Sequence, residues 1–192
     1  MRIEVRFANK ENGNIDAIKR DGAEYGFDGL IIYPVMNLGD IGEGVGIVKV
    51  NEAVAEELGM TYDEIFEKGI ENIDYTIKTM RDTLIECMFP DGVPEEDSEM
   101  IDMMLPPDEN GMLVITNERK FYGATSVIAA TKELIDRFPN GYVVLPSSVH
   151  EVIVLPYEEG NEEELNDIVK QVNAGVLSAD DFLSDDIYIF EA

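Results

Sequence analysis

The stretch YVVLPSSVHEVIVL, residues 142–155, contains two short apolar runs on either side of a Pro-Ser-Ser turn. Runs rich in β-branched and aromatic residues are typical of strands, and two such runs around a tight turn predict a β-hairpin. We expect the strands at residues 142–145 and 149–155. The single histidine of the chain, His150, follows this turn near the start of the second predicted strand.

The segments around this hairpin alternate between strand and helix patterns. Residues 111–116 predict a buried strand, and residues 124–138 predict a helix. After the hairpin, a helix capped by Asn161 and a strand at residues 187–190 are predicted. The order strand, helix, strand, strand, helix, strand favours an α+β fold with a mainly antiparallel sheet and packed helices.

The first half of the chain predicts three more strands and one long helix. The strands are predicted at residues 2–7, 29–35 and 45–50. Thr61 and Glu64 have the spacing of a capping box, which satisfies free amides at a helix N-terminus. Apolar residues then recur every three or four positions until Leu84, and Pro90 follows. This periodicity predicts one long central helix.

The chain length is suited to one domain over residues 1–192, since this length supports one buried core and is short for two. Residues 91–110 are rich in Pro, Asp and Glu. Such a composition buries little apolar surface, so we expect an acidic, mobile connection within the domain.

The charge is strongly one-sided, with 14 Lys and Arg against 41 Asp and Glu, a formal net charge of −27. A surface of this sign repels nucleic acid and anionic membranes, and it suits a basic protein partner. The chain has one cysteine, Cys87, and no apolar run near the roughly 20 residues that span a bilayer. These features predict a cytoplasmic protein that binds neither membranes nor nucleic acid directly.

Several segments resemble a bacterial family known as domain of unknown function 5688. They are residues 145–153 (LPSSVHEVI), 172–174 (VNA), 183–185 (LSD), 115–117 (ITN), 122–124 (YGA), 50–53 (VNEA) and 58–61 (LGMT). The resemblance covers roughly residues 45–190 and implies one shared domain. No activity or catalytic residue is established for that family, so the resemblance implies no mechanism.

The turn itself contains a candidate for acyl-transfer chemistry, with Ser147 or Ser148 as nucleophile, His150 as base and Glu151 as a nearby carboxylate. In a strand, neighbouring side chains face opposite ways, so Glu151 would not orient His150. A carboxylate for His150 would have to come from another segment. The competing interpretation is that the serines form the turn through their own backbone bonds, and we prefer it over catalysis.

Cofactor and metal signatures are absent from the sequence. One histidine and one distant cysteine do not make a zinc site, and no EF-hand loop is present. The glycines of residues 39–46 lack the Lys-Ser/Thr of a phosphate-binding loop. We therefore expect no metal and no cofactor.

The acidic residues are unevenly distributed, with 15 acidic against 3 basic residues between positions 61 and 110. One strongly negative face could engage a basic protein surface, or could imitate a nucleic-acid backbone. The candidate partner-binding residues are Glu64, Glu67, Glu71, Asp74, Glu95, Glu96, Asp97 and Glu99. A non-enzymatic binding or regulatory role is the leading hypothesis; a Ser/His hydrolase and a self-associating scaffold are the alternatives.

Overall fold

The computed structural model describes residues 1–11, 19–42, 44–105, 111–146, 148–176 and 181–191, with only the backbone of Glu95 and Val176. The strands are β1 (Arg2–Asn9), β2 (Arg20–Asp21), β3 (Leu30–Ile41), β4 (Gly44–Lys49), β5 (Thr76–Thr79), β6 (Leu113–Thr116), β7 (Tyr142–Leu145), β8 (Val152–Pro156) and β9 (Tyr188–Phe190). The α-helices are α1 (Glu52–Glu57), α2 (Tyr62–Glu71), α3 (Met80–Met88), α4 (Ser98–Met104), α5 (Ser126–Arg137) and α6 (Glu162–Val176). Short 3₁₀ turns occupy Gly22–Tyr25 and Glu95–Asp97.

The strands form two sheets in which every pairing is antiparallel. In the N-terminal sheet, β3 pairs with β1 on one side and with both β2 and β4 on the other. The second sheet has the order β5-β6-β8-β7-β9. The predicted α+β class and the mainly antiparallel pairing are therefore confirmed.

One buried apolar cluster joins the two sheets through α5. It contains Val5 and Phe7 from β1 and Ile115 from β6, with Val127 and Leu134 of α5. Alternation along each strand turns these side chains to a common side, as expected for half-buried strands. Since fully burying one such side chain stabilises a fold by about 1.5–3 kcal/mol, this cluster holds the two sheets together.

The outer face of the second sheet is covered by α6. Val169 and Leu165 of this helix lie against Val143 and Leu145 of β7. The remainder of that face, at β5 and β6, lies under α3, which has no fully buried residue. The two halves of the face are therefore packed to different degrees.

The prediction of one long central helix is wrong. The segment forms α2, then the short edge strand β5, then α3. The capping box at Thr61 is confirmed, but α2 ends at Glu71 with Asn72 as its C-cap. The β-branched residues of β5 pair with β6. Isoleucines at helical spacing, such as Ile73 and Ile77, also fit a strand, so tertiary pairing overrode the helical period.

Part of residues 91–110 is helical, and the second strand of the predicted hairpin begins later than expected. Within residues 91–110, Ser98–Met104 forms α4 and buries Ile101, while residues 106–110 lie outside the described residues. Strand β8 begins at Val152, so His150 and Glu151 belong to the connection between β7 and β8. Within the described ranges, no helix is long and apolar enough to cross a bilayer.

Candidate functional site

Three connections that are far apart in sequence meet around His150. They are residues 117–123 between β6 and α5, residues 146 and 148–151 between β7 and β8, and residues 181–185 before β9. The amide of Gly123 donates to the carbonyl of His150 at 2.9 Å, and the amide of Val149 donates to the carbonyl of Asp181, also at 2.9 Å. Backbone hydrogen bonds therefore hold the three connections together.

Both ring nitrogens of His150 are hydrogen-bonded. The backbone N–H of Tyr122 lies 3.1 Å from Nδ1, and Nε2 lies 3.0 Å from Oδ1 of Asp181. An amide can only donate, so Nδ1 is the acceptor and the neutral ring has its proton on Nε2. That proton is donated to the Asp181 carboxylate. In this arrangement neither nitrogen is presented to a substrate.

Aromatic rings enclose the imidazole on its other sides. The Phe121 ring stacks on it with a centroid distance of 5.2 Å and an interplanar angle of 27°. Tyr122 meets it edge-on at 5.3 Å. The side chain of His150 is 24% exposed, so the ring is part of a packed cluster and is partly accessible to solvent.

The connection 117–123 has an unusual backbone that positions these rings. Lys120 and Tyr122 both have φ of 51°, in the left-handed region that residues with a side chain rarely adopt. The side chain of Asn117 stabilises the loop, because its amide donates to the carbonyl of Phe121 at 2.9 Å. Successive side chains thereby point to different places: Lys120 to Glu86, Phe121 to His150, and Tyr122 to a buried arginine.

The buried arginine is Arg6 of β1, which is 8% exposed. Its guanidinium carbon lies 3.9 Å from the centre of the Tyr122 ring, a cation–π geometry. Burial lowers the pKa of Arg6, while nearby Tyr33, Tyr122 and Glu4 oppose that effect. This contact attaches the connection to the N-terminal sheet.

The candidate nucleophiles are arranged differently from a Ser/His pair. Ser148 is buried, and its hydroxyl accepts the backbone N–H of His150 at 3.0 Å. Ser147 lies outside the described residues. Glu151 lines a concavity to which His150 does not contribute. The carboxylate that contacts His150 is Asp181, 31 residues further along the chain.

The concavity lies between the outer face of β5, β6 and β8 and the helix α3, and has a volume of about 320 Å³. Its floor includes Val114 and Ile153. At its rim, Glu86 forms salt bridges with Lys78 and with Lys120, the latter at 2.6 Å. Hydrogen bonds from Lys120 and Lys78 lower the pKa of Glu86 to about 2.

An acidic, methionine-rich segment extends from this concavity. We define the acidic methionine segment as residues 82–105, which contain α3 from its third residue and all of α4. This segment has eight Asp and Glu and no Lys, Arg or His. Its exposed large apolar side chains are Leu84, Met88, Val93, Met100, Met103 and Met104. Arg81 ties the two helices together, donating to the Leu105 carbonyl at 2.7 Å and pairing with Asp102.

The acidic residues proposed from the sequence fall into two groups. Glu64 completes the capping box at Thr61, and Asp74 pairs with Arg2 at 2.8 Å. The others lie on α2 or in the acidic methionine segment. Glu67, Glu71, Glu96 and Glu99 are exposed, and Asp97 is half-buried. For Glu95 only the backbone is described. In the described part of the chain, no group of three His, Cys, Asp or Glu side chains could hold a metal ion.

The fold and this site define an α+β protein in which several of the family-like segments of the second half of the chain lie close to one histidine. The family model for DUF5688, a family of unknown function, matches residues 24–192. The chain belongs to that family, which confirms the resemblance. Comparisons with curated proteins and with solved structures give no match to the chain.

Three residues of the site were missed from the sequence. Asp181, Phe121 and Tyr122 contact the imidazole, yet none stands next to His150 in the chain. The available signal was the set of family-like segments: ITN and YGA border residues 117–123, and LSD begins two residues after Asp181. Proximity of these segments in space could have been inferred, but not the contacts themselves.

Proposed function

We propose that the protein is a non-enzymatic binding module whose acidic methionine segment engages a cationic, amphipathic segment of a protein partner. One observation carries this proposal: residues 82–105 combine eight carboxylates, no cation and a series of exposed apolar side chains. A partner that matches both properties presents an apolar stripe flanked by Lys or Arg. An amphipathic helix in a groove is the usual form of such a partner.

The exposed side chains lie on one face of each helix. Leu84 and Met88 are four positions apart on α3, and Met100, Met103 and Met104 have the spacing of one face on α4. Met103 is 87% exposed. Clustered apolar exposure marks interaction sites in soluble proteins, and methionine adapts its shape to different partners.

The charges of the segment favour a cation over a neutral partner. Among the described salt bridges, Glu86 and Asp102 are the only carboxylates of the segment that take part, and their partners lie outside it. The side chains of Asp82, Asp91, Glu96 and Glu99 are exposed, and none of the salt bridges described for the chain gives them a counter-charge. A cationic partner would supply that charge, and its binding would weaken with salt.

Imitation of a nucleic acid is the alternative use of the same carboxylates. It would require the carboxylates alone, because phosphate-binding surfaces contact charge and not apolar side chains. The methionines therefore distinguish the two functions.

The test is the binding of a fluorescently labelled Lys/Leu peptide with a helical apolar face, followed by anisotropy. A peptide of the same composition, scrambled to remove that face, controls for net charge. We expect the amphipathic peptide to bind more tightly, and Met103→Ser with Met104→Ser to weaken its binding about tenfold through lost apolar burial.

A matched pair of variants controls for the overall charge of the protein. Glu96→Gln with Glu99→Gln removes two charges from the segment, and Asp136→Asn with Asp167→Asn removes two exposed charges from α5 and α6. Only the first pair should weaken binding substantially. Equal losses in the two pairs, or equal affinity for the scrambled peptide, would exclude the proposed site. If the methionine variant binds the peptide as tightly as the parent protein while the Glu96/Glu99 variant binds it less tightly, imitation of a nucleic acid is favoured instead.

A further inference from the structure

We infer that two copies of this chain pair through the free edge of β4 and form one continuous antiparallel sheet across a two-fold axis. In the part of the chain that the structure describes, β4 pairs with β3 alone. Its residues 44–48, Gly-Val-Gly-Ile-Val, contain no charge and no proline. Natural sheets usually protect an exposed edge strand with charged residues or proline, and an edge strand without them is a template for another strand.

The register identifies the backbone groups that face outward. Residues of an antiparallel strand direct their N–H and C=O alternately to one side and the other. The amide of Val50 donates to the carbonyl of Pro34 in β3 at 3.1 Å. Counting back in steps of two, the backbone N–H and C=O groups of Val48, Gly46 and Gly44 also face β3. Val45 and Ile47 therefore direct their N–H and C=O away from the sheet.

The opposite edge of the same sheet shows how this protein protects a strand. On β1, the carbonyl of Ile3 accepts the side-chain amide of Asn72 at 2.9 Å, and the carbonyl of Val5 accepts the hydroxyl of Thr125 at 3.2 Å. Side chains from α2 and α5 thus occupy that edge. No described side chain does the same for Val45 or Ile47.

The sequence of β4 is complementary to itself in one antiparallel register. With the two-fold axis at Gly46, Val45 of each copy lies opposite Ile47 of the other. Each copy contributes two outward N–H and two outward C=O groups, so the two copies form four hydrogen bonds. The two Gly46 residues form the closer, non-hydrogen-bonded pair, where the Cα atoms approach to about 4.5 Å. Pairs of β-branched residues across strands stabilise a sheet.

The pairing also continues an existing apolar cluster. Ile47 packs against the buried side chains of Ile31, Tyr33 and Val35 on one face of the sheet. In the proposed register, Val45 of the second copy extends that row. Val45 is 45% exposed in the single chain, as expected for a residue that lacks a neighbour.

A second copy is the occupant that the charge favours at this edge. Two chains of net charge −27 repel each other, so they can approach only where the local charge is low, as it is over residues 44–48. Salt screens this repulsion, and self-association should strengthen as salt rises. Binding of the cationic partner proposed above should weaken with salt, so the two proposals succeed or fail separately.

Sedimentation velocity over a range of protein and salt concentrations tests the pairing. We expect a monomer–dimer equilibrium, with a dimer of twice the 21.4 kDa of one chain. Val45→Pro removes an outward N–H and leaves the bonds to β3 intact, so two of the four new bonds are lost. The dissociation constant should rise about tenfold or more. Ile168→Ser, which removes exposed apolar surface from α6 and not from the N-terminal sheet, should leave it unchanged.

Disulfide trapping tests the register without relying on the proline variant. In a Cys87→Ser background, Val45→Cys and Ile47→Cys proteins are oxidised separately and as a mixture. Opposite residues have Cα atoms about 5.5 Å apart, within disulfide range, so the mixture should form cross-linked dimers and each protein alone should not. A monomer at every concentration and salt, or no cross-link in the mixture, would overturn the inference.

Discussion

Gly123 lies where the connections around His150 come closest, and replacing it by alanine should separate them. A Cβ atom at this position would lie 2.6 Å from the amide nitrogen of Asn117 and 2.7 Å from the carbonyl oxygen of His150, and it would also meet the hydroxyl of Thr116. Backbone atoms cannot rotate away from such a contact, so the connections themselves must move.

The cost follows from the contacts that this movement breaks. Gly123 donates to His150 at 2.9 Å, and Ala124 donates to Val149 at 3.1 Å. Two backbone hydrogen bonds contribute about 1–3 kcal/mol together. Overpacking a buried site adds about 1–3 kcal/mol. We expect Gly123→Ala to lower the free energy of unfolding by about 3 kcal/mol, or about 6–12 °C in Tm for a domain of this size.

Urea unfolding followed by circular dichroism measures the change, and Gly175→Ala is the matched control. Nothing lies within 4 Å of a Cβ built on Gly175, which is in α6. Alanine is a better helix former there, so this variant should gain about 0.5–1 kcal/mol. His150 is the single imidazole, and its ¹⁵N resonances report the ring directly. If Gly123→Ala stays within about 0.5 kcal/mol of the parent with unchanged resonances, the close approach does not stabilise the site.

Two further predictions concern charged groups. The pKa of Glu86 is lowered from 4.5 to about 2, so its ion pairs stabilise the fold above pH 4.5 and are lost as pH falls toward 2. Glu86→Gln should therefore flatten the fall in unfolding free energy over that window, and parallel curves for parent and variant would contradict this. Asp181→Ala leaves Nε2–H of His150 without its acceptor and should cost about 1–3 kcal/mol. Asp181→Asn keeps an acceptor oxygen and should cost less; equal losses measured by urea unfolding would count against the hydrogen bond.

Local sequence patterns predicted the strands, turns and helix caps that depend on residues close together in the chain. The hairpin at residues 142–155, the first strand and the capping box at Thr61 all follow from adjacent chemistry, and each is present. The prediction of one long helix after Thr61 was wrong because the isoleucine spacing there fits a helix and a strand equally well. Residues 76–79 form a strand and not a helix because they pair with the edge of β6.

The sequence pointed to His150 as the centre of the site, but not to the residues that contact its ring. The unusual turn and the single histidine indicate where chemistry is concentrated. The argument from strand alternation against Glu151 does not apply, because His150 and Glu151 lie in a connection and not in β8. Asp181 contacts the ring because a separate connection packs against the turn.

By itself, the sequence determined the quantities that need no coordinates: the net charge of −27, the single histidine, and the absence of any cation between Asp82 and Leu105. It also determined the α+β class, since local periodicity and turn chemistry act over a few residues. Only the tertiary structure decided that residues 121, 150 and 181 share one cluster and that β4 has a free edge. These depend on contacts between segments tens of residues apart, and one sequence contains no direct record of such contacts.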